Sequence, residues 1–282
     1  MENSITWTES QKRRLKELGA DSETLLRKFS AAGDRNDEFL LLEKAYVQEH
    51  RKSLEKKRRE DKRPELSLLR EALATALTAE GFTEVITPTI MSRSLLEKMG
   101  ITGDHPLIRQ IFWLDDDRCM RPMLAPHLYY ILVDLLRLWE KPVRIFEVGP
   151  CYRKETSGAR HAGEFTMLNL VEMGLPLEER EQRLREFADL AVSAAGIKDY
   201  QLEGESSAVY GETIDLVAGE GDVEIGSAAL GPHKLDQNWR IDTAWVGIGL
   251  GLERMLMVKH GGNSITPWKR SLSYLDGARL RV

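Results

Sequence analysis

Three glycines at a spacing of two, with an arginine close behind them, are the residues of this chain best placed to do chemistry. Residues 247–254 read GIGLGLER. Alternate residues of a strand point to opposite faces, so Gly247, Gly249 and Gly251 would leave one face bare. A bare face lets a flat ligand ring or another backbone come close. Arg254 opens the helix expected over 252–260, where it could hold a phosphate or stack over that ring. The pattern by itself fits close sheet packing as well as a ligand site.

A second candidate site lies in the hairpin predicted over residues 143–173. Arg153 and Glu155 follow its first strand, and His161 lies in the loop TSGARHAGE. An arginine at a strand end is most often part of a surface ion pair. The hairpin residues and the glycine strand with Arg254 form a set that would seldom occur together by chance in one chain.

The returning strand of this hairpin carries one polar residue in an otherwise apolar row. Period-two alternation puts Phe165, Met167, Asn169 and Val171 on one face. Asn169 could be a satisfied buried amide, or the single hydrogen-bonding group that orients a ligand in an apolar pocket.

Other common sites are excluded by spacing. No third glycine completes G-x-G-x-x-G after Gly247 or Gly249, and G-x4-G-K-[ST] does not occur. The 6 histidines show neither H-x3-H nor H-E-x-x-H spacing, and the 2 cysteines form no C-x2-C pair. We therefore expect neither a dinucleotide fingerprint, nor a P-loop, nor a transition-metal site held by the protein.

The elements that must position these residues fall into two predicted regions. Residues 1–63 form an N-terminal helical region in which a second helix ends at Gly33 and a long third helix starts at Asp34. The third helix ends in a basic run that contains Lys56, Lys57, Arg58 and Arg59, which is either a solvated face or a nucleic-acid contact. Pro64 marks the boundary to residues 64–282. There, strands joined by turns predict an α+β fold with an antiparallel sheet flanked by helices.

Composition is that of an ordinary globular protein. The chain has 282 residues, is 42% hydrophobic and 30% charged, and carries a formal net charge of -5, which fits one large domain with a small appendage. The most apolar run, residues 128–139, contains Asp134 and Arg137 and predicts a buried helix rather than a membrane span. No signal peptide is evident in the first residues, so we expect a cytoplasmic protein.

Three segments in this order resemble motifs 1, 2 and 3 of the class II aminoacyl-tRNA synthetases: GFTEVITPTI, the hairpin with its R-x-E, and GIGLGLER. RPMLAPHLYYIL, IFEVGPCYRKE, EFTMLNLVEMG, VYGETIDL and EIGSAALGP are further similar to the catalytic core of the pyrrolysyl-tRNA synthetase family. The resemblance extends from about Lys62 to the C terminus. It is to the compact form of that family, which lacks a separate N-terminal tRNA-binding domain.

The resemblance implies an aminoacyl-tRNA ligase that uses ATP to activate pyrrolysine, a long Nε-acylated lysine, or similar lysine derivatives. The amino acid would become an adenylate and pass to the 3′ end of its cognate tRNA. Arg153 and Arg254 would be catalytic, and Glu224 and Ser227 would hold Mg²⁺. The residues implied to bind ATP are Arg153, Glu155, His161, Phe165, Glu224, Ser227, Gly249, Gly251 and Arg254.

The resemblance also implies an amino-acid pocket, with Tyr210 on a loop as its lid and Asn169 hydrogen-bonded to the amide carbonyl of the substrate. The implied pocket residues are Ala125, Leu128, Tyr129, Leu132, Met167, Asn169, Val171, Tyr210, Ala229, Trp245 and Gly247. Motif 1 implies a homodimer, and the basic run, Lys56 to Arg59, is the candidate tRNA contact.

Three other functions fit parts of the sequence. The chain could be an adenylate-forming paralogue that modifies a protein or small-molecule acceptor. It could also be a regulatory relative without catalysis, or a helical interaction module, residues 1–63, carried on a scaffold. Intact Arg153, Glu155, Glu224 and Arg254 favour an active enzyme.

Overall fold

The computed structural model of this protein describes residues 4–154, 158–220 and 222–282. Its helices are α1 Glu9–Glu17, α2 Ser22–Leu25, α3 Ala32–Arg59, α4 Glu65–Ala79, α5 Arg93–Lys98, α6 Ala125–Leu138, α7 Arg180–Ala195 and α8 Leu252–Lys259. Its strands are β1 Ile5–Thr6, β2 Lys28–Phe29, β3 Thr83–Glu84, β4 Ile90–Ser92, β5 Arg118–Met120, β6 Val143–Tyr152, β7 Glu164–Met173, β8 Tyr200–Ser207, β9 Gly211–Ala218, β10 Val223–Gly231, β11 Trp245–Gly251, β12 Tyr274–Leu275 and β13 Ala278–Arg279.

The chain divides into two compact units. Residues 1–64 together with 271–282 form the first unit, and residues 65–270 form the second. The predicted assignment of residues 271–282 to the second domain is therefore wrong. Their hairpin, β12 and β13, is bound within the first unit by an ion pair between Lys57 and Asp276 and by Arg279 Nη2, 2.8 Å from Glu17 Oε2.

The first unit is less helical than the sequence predicts. Thr8 caps α1 by accepting the Gln11 N–H at 3.2 Å, while the Gln11 side chain accepts the Thr8 N–H at 3.1 Å. The second helix ends at Leu25 rather than Gly33, because the chain then turns into β2, which pairs with β1. Phe29 of β2 packs edge-on against Trp7 with ring centroids 4.4 Å apart. This tertiary contact overrides the local helical preference.

The second unit is built on a seven-stranded sheet in the order β3-β6-β7-β11-β10-β9-β8. Every neighbouring pair is antiparallel except β3 with β6. The predicted α+β class with an antiparallel sheet flanked by helices is confirmed. The segment 81–91 contributes only the two residues of β3 to this sheet, and β4 pairs with β5 instead.

The two faces of the sheet bury different side chains. One face packs against α4, α7 and α8, and there Leu168, Leu170, Ile248 and Leu250 are fully buried. Ile248, Leu250 and Leu252, which alternate with the three glycines, therefore pack in this core. The opposite face, with Trp245 on β11, packs toward α6. In the described ranges, no helix is both long and apolar enough to cross a membrane.

Candidate active site

A cavity of about 560 Å³ opens on the α6 side of the sheet. It collects most of the residues predicted for the two ligand sites. The predicted residues that line it are Ala125, Tyr129, Leu132, Arg153, His161, Phe165, Met167, Asn169, Val171, Tyr210, Glu224, Ser227, Ala229, Trp245, Gly247, Gly249, Gly251 and Arg254. Glu155, expected at the ATP end, lies outside the described residues.

One residue predicted for the amino-acid pocket, Leu128, is absent from the cavity wall. It is fully buried in the packed core and does not line the cavity. Ala125, Tyr129 and Leu132 follow one another at helical spacings of four and three, so they share one face of α6. Leu128 stands three residues after Ala125 and four before Leu132, so helical spacing alone does not separate it from the residues that line the cavity.

The glycine strand forms a flat floor for this cavity. On β7, Asn169 pairs with Gly249 and Met167 pairs with Gly251. A Cβ built at Gly251 would meet nothing nearer than the Arg254 side chain at 3.9 Å. One at Gly249 would lie 3.3 Å from the flexible end of Met167, which would have to move slightly, and 3.9 Å from the Ser227 carbonyl oxygen. At these two glycines the bare face thus opens to the cavity rather than to backbone packing. Close packing does hold at Gly226, where a Cβ would lie 2.6 Å from the Gly249 carbonyl oxygen.

Asn169 is held by the strand that carries the glycines. Its Nδ2 atom donates to the Ile248 carbonyl at 2.9 Å. A primary amide has two N–H donors and a carbonyl acceptor, so this bond uses one donor and sets the plane of the group. Asn169 lines the cavity, where the second N–H can serve a ligand.

Arg153 is oriented by two neighbours. It directly follows β6, and its Nε atom donates to the Pro122 carbonyl at 2.9 Å. Its guanidinium carbon lies 5.3 Å from the centroid of the Phe165 ring. The charged end of the side chain and an aromatic face therefore occupy the same end of the cavity, as binding of a ring and a phosphate requires.

Arg254 and Glu224 form an ion pair at the same end, with Nη1 and Oε2 3.0 Å apart. Glu224 and Ser227, whose oxygens are expected to hold a metal, are three residues apart in the chain. A regular strand would therefore put their side chains on opposite faces. The pairing of β10 with β9 shifts register between Glu224 and Gly226, and this bulge turns both side chains to the cavity.

Glu253 ties the hairpin to the helix that carries Arg254. Its buried carboxylate accepts the Thr166 N–H, with both oxygens 2.9 Å from the nitrogen. Burial raises the pKa of Glu253, and the hydrogen bond from Thr166 opposes that shift. Phe165 and Arg254 are each next to one partner of this bond in the chain, so the bond holds together two sides of the ATP site that the resemblance implies.

The far end of the cavity is aromatic. The Tyr129 ring lies edge-on to Trp245 at 5.9 Å, and the Tyr210 ring lies 6.0 Å from Trp245. Burial, helped by Tyr210 and Asp236, raises the pKa of Tyr129 well above its usual value, so its hydroxyl stays protonated. Met123, Met173 and Thr213 also line the cavity and were missed. Thr213 and Asp215 both line the cavity and are two residues apart on β9. Strand alternation puts them on one face, and this is the sequence signal that could have identified Thr213.

The four cations of the basic run differ in exposure: the side chains of Lys56, Arg58 and Arg59 are exposed, and that of Lys57 is largely covered. Arg58 and Arg59 lie near Glu55, and Lys56 lies near Asp61. Lys57 is instead only 13% exposed, paired with Asp276 and bonded to the Arg63 carbonyl. Lys57, predicted as a tRNA contact, thus stabilises the first unit.

Known proteins resemble this chain over different lengths. Residues 51–272 match the family described as tRNA synthetases class II core domain (F). A crystal structure of pyrrolysyl-tRNA synthetase from Desulfitobacterium hafniense is 51% identical with a TM-score of 0.92, covering 98% of this chain and 99% of that chain. A second structure of that enzyme from the same organism is 50% identical with a TM-score of 0.91, covering 99% of this chain and 96% of that chain.

Curated ligases match over shorter segments. A threonine--tRNA ligase of Cupriavidus pinatubonensis is 37% identical over 89 residues, which is 30% of this chain but 14% of that ligase. The phenylalanine--tRNA ligase alpha subunit of Thermosynechococcus vestitus is 30% identical over 77 residues, 27% of this chain and 22% of the subunit. The predicted resemblance is confirmed. Since the family match spans well over half of its residues, this chain belongs to the class II aminoacyl-tRNA synthetases, which are aminoacyl-tRNA ligases.

Proposed function

We propose that this chain activates pyrrolysine, or a similar lysine acylated on its Nε atom, with ATP and transfers it to the 3′ end of a cognate tRNA. One observation carries the proposal: the character of a single cavity changes along β11. Arg254 lies beside Gly251 and Arg153 lies over Phe165 in this cavity, whereas toward Trp245 the wall is apolar and aromatic around the single amide of Asn169. The first part suits a nucleotide, and the second suits a long side chain with one amide.

The first step needs no base from the protein. The α-carboxyl group of an amino acid has a pKa of about 3.5, so it is an ionised nucleophile at about pH 7. Its oxygen forms a bond to the α-phosphorus of ATP, and pyrophosphate leaves with the electron pair of the broken P–O bond. Positioning and charge stabilisation then supply the catalysis. Arg153 would hold the α-phosphate and the substrate carbonyl, because Pro122 and Phe165 already orient its guanidinium.

The other arginine would exchange its partner when ATP binds. Arg254 pairs with Glu224, and a phosphate would replace that carboxylate. Glu224 and Ser227 offer hard oxygen donors turned to the cavity, which fits Mg²⁺. In the described part of the chain no group of three His, Cys, Asp or Glu could hold a metal, so phosphates and water would complete the coordination. Bound Mg²⁺ would neutralise phosphate charge.

The pocket would select an acylated lysine through Asn169. Its second N–H would donate to the substrate amide carbonyl, and the Ile248 carbonyl keeps the amide in that orientation. Free lysine would bring an unpaired ammonium against apolar walls, at a cost of several kcal/mol. Apolar walls discriminate by only about 1 to 3 kcal/mol per methylene, so we expect several acyl groups to be accepted.

The first unit would contact tRNA through the exposed cations of its basic run. Arg58 is 73% exposed, and its pairing with Glu55 is of the surface kind that contributes about 0 to 1 kcal/mol. Phosphates of tRNA could therefore take over these cations and release counterions. The second unit would form a homodimer through the segment 81–91, where Ile86 is 85% exposed and Ile90 is also exposed.

Pyrophosphate exchange tests the proposal directly. The wild-type chain should exchange pyrophosphate into ATP with Nε-acylated lysines and not with lysine, and should then acylate the cognate tRNA. Arg153→Ala should abolish exchange, which separates catalysis by this site from a contaminating synthetase. No exchange with any acylated lysine would refute the proposed substrate class. Exchange without tRNA acylation would indicate a protein or small-molecule acceptor.

A further inference from the structure

A buried carboxylate stands directly behind the aromatic end of the cavity. Asp236, in the short 3-10 helix Lys234–Trp239, is 1% exposed and does not line the cavity. One of its oxygens, Oδ1, accepts the Tyr129 hydroxyl at 2.9 Å. The other, Oδ2, accepts Trp245 Nε1 at 2.8 Å and the His233 backbone N–H at 2.6 Å. One group thus joins α6, β11 and the 3-10 helix.

Capping of the 3-10 helix explains only part of this arrangement. The bond from the His233 N–H is a helix cap and occupies one oxygen. Burying a charged carboxylate is costly unless its hydrogen bonds are made, and a cap alone would leave Oδ1 without a donor. The Tyr129 hydroxyl and the Trp245 indole meet the remaining demand, and both of these side chains line the cavity.

The bonds fix how the two rings stand in the wall. The raised pKa of Tyr129 keeps its hydroxyl protonated, so it donates to the carboxylate. An indole N–H can only donate, so Trp245 has one ring orientation that satisfies it. The two rings meet edge-on with an interplanar angle of 88°, and Tyr129 also stacks on Trp239 at 5.4 Å. Asp236 therefore sets the shape of the slot without touching a ligand.

We propose that Asp236 is a positioning residue for the amino-acid substrate, acting through Tyr129 and Trp245. The inference rests on the proposed function, since it concerns the same pocket. A preformed slot spares the substrate the cost of ordering two aromatic walls. Loss of the carboxylate frees both rings and weakens amino-acid binding, while the ATP end, which Asp236 does not reach, is unaffected.

The test is pyrophosphate exchange with one acylated lysine that the wild type accepts. Asp236→Ala should raise the KM of the amino acid about tenfold, because the bonds that orient the rings of Tyr129 and Trp245 are both lost, and leave the KM of ATP within about twofold. Tyr129→Phe removes the hydroxyl alone, and the double variant should show less than the product of the single effects. Asp189→Ala is the matched control, because it removes a carboxylate that accepts the Tyr200 hydroxyl at 2.7 Å, outside the cavity.

A second variant covers the case in which Asp236→Ala does not fold. Asp236→Asn keeps a carbonyl for the two obligate donors, Trp245 and His233, and turns an N–H toward Tyr129, whose hydroxyl must reverse to accept it. The amino-acid KM should rise about threefold with the fold retained, a smaller effect because only one bond is altered. Unchanged KM values, parallel rises for ATP and amino acid, or multiplicative double-variant effects would overturn the inference. A wild type without exchange would instead refute the proposed function.

Discussion

Replacing Gly251 with alanine separates a ligand floor from ordinary sheet packing. Gly251 has φ -96° and ψ 108°, which alanine adopts freely. The added Cβ would meet nothing nearer than Arg254 Cδ at 3.9 Å. Such a substitution stabilises a protein by about 0.4 to 1 kcal/mol through the unfolded chain. The free energy of unfolding of the Gly251→Ala protein should therefore equal or exceed that of the wild type.

The cost should appear only when ATP binds. A ring lying on the glycine face would meet the new methyl group, and overpacking of this kind costs about 1 to 3 kcal/mol. That range corresponds to an affinity loss of about 5-fold to 150-fold. We expect the KM of ATP to rise at least about 5-fold, with the KM of the amino acid within about twofold, because the aromatic end of the cavity is unchanged.

Pyrophosphate exchange with varied ATP, together with thermal unfolding, measures both effects. Gly204→Ala is the matched control: Gly204 is also a strand glycine, a Cβ there meets nothing within 4 Å, and it does not line the cavity. It should change neither KM. An ATP KM within twofold of the wild type in Gly251→Ala would show that no ring lies on this floor. A lowered melting temperature would show that the glycine serves packing.

Four further variants have defined outcomes. Asn169→Ala should raise the KM of an acylated lysine about tenfold or more in pyrophosphate exchange, because one amide hydrogen bond in an apolar wall is lost; an unchanged KM would remove Asn169 from recognition. A triple alanine variant of Lys56, Arg58 and Arg59 should weaken tRNA charging and flatten its salt dependence while exchange stays intact, whereas Lys57→Ala should lower the stability of the first unit. His127→Asn should make the free energy of unfolding less sensitive to acid. Burial lowers the pKa of His127 in the folded state, so the unfolded chain binds the proton more readily as the pH falls below about 6.5. The free energy of unfolding of the wild type then falls by up to about 1.4 kcal/mol per pH unit. Urea unfolding at pH 7 and pH 5 measures that difference, and an equal loss in both proteins would contradict it.

Local patterns predicted much of the cavity because strand alternation is a local property. Gly247, Gly249 and Gly251 share a face in any regular strand, and so do Met167, Asn169 and Val171. Both rows line the cavity as predicted. Helical regions of the first unit were less predictable, because the pairing of β2 with β1 depends on residues far apart in sequence.

Three outcomes depended on contacts that no local pattern contains. The bulge in β10 decides that Glu224 and Ser227 face the same way, since strict alternation separates them. Leu128 does not line the cavity, although its helical spacing matches that of Ala125 and Leu132, which do. In the sequence Lys57 is one more cation of a basic run, but in the structure it is paired with Asp276 of the β12–β13 hairpin and largely covered.

Consecutive residues were enough to show which residue types could bind a nucleotide and an amide, because glycine parity and strand periodicity are local properties of the chain. Three motifs in their order were also enough to identify the family. How the motifs share one cavity, and which charges stay exposed, became evident from the tertiary structure. It also revealed the carboxylate of Asp236 behind the aromatic wall, because its three bonds join residues up to 107 positions apart in the chain.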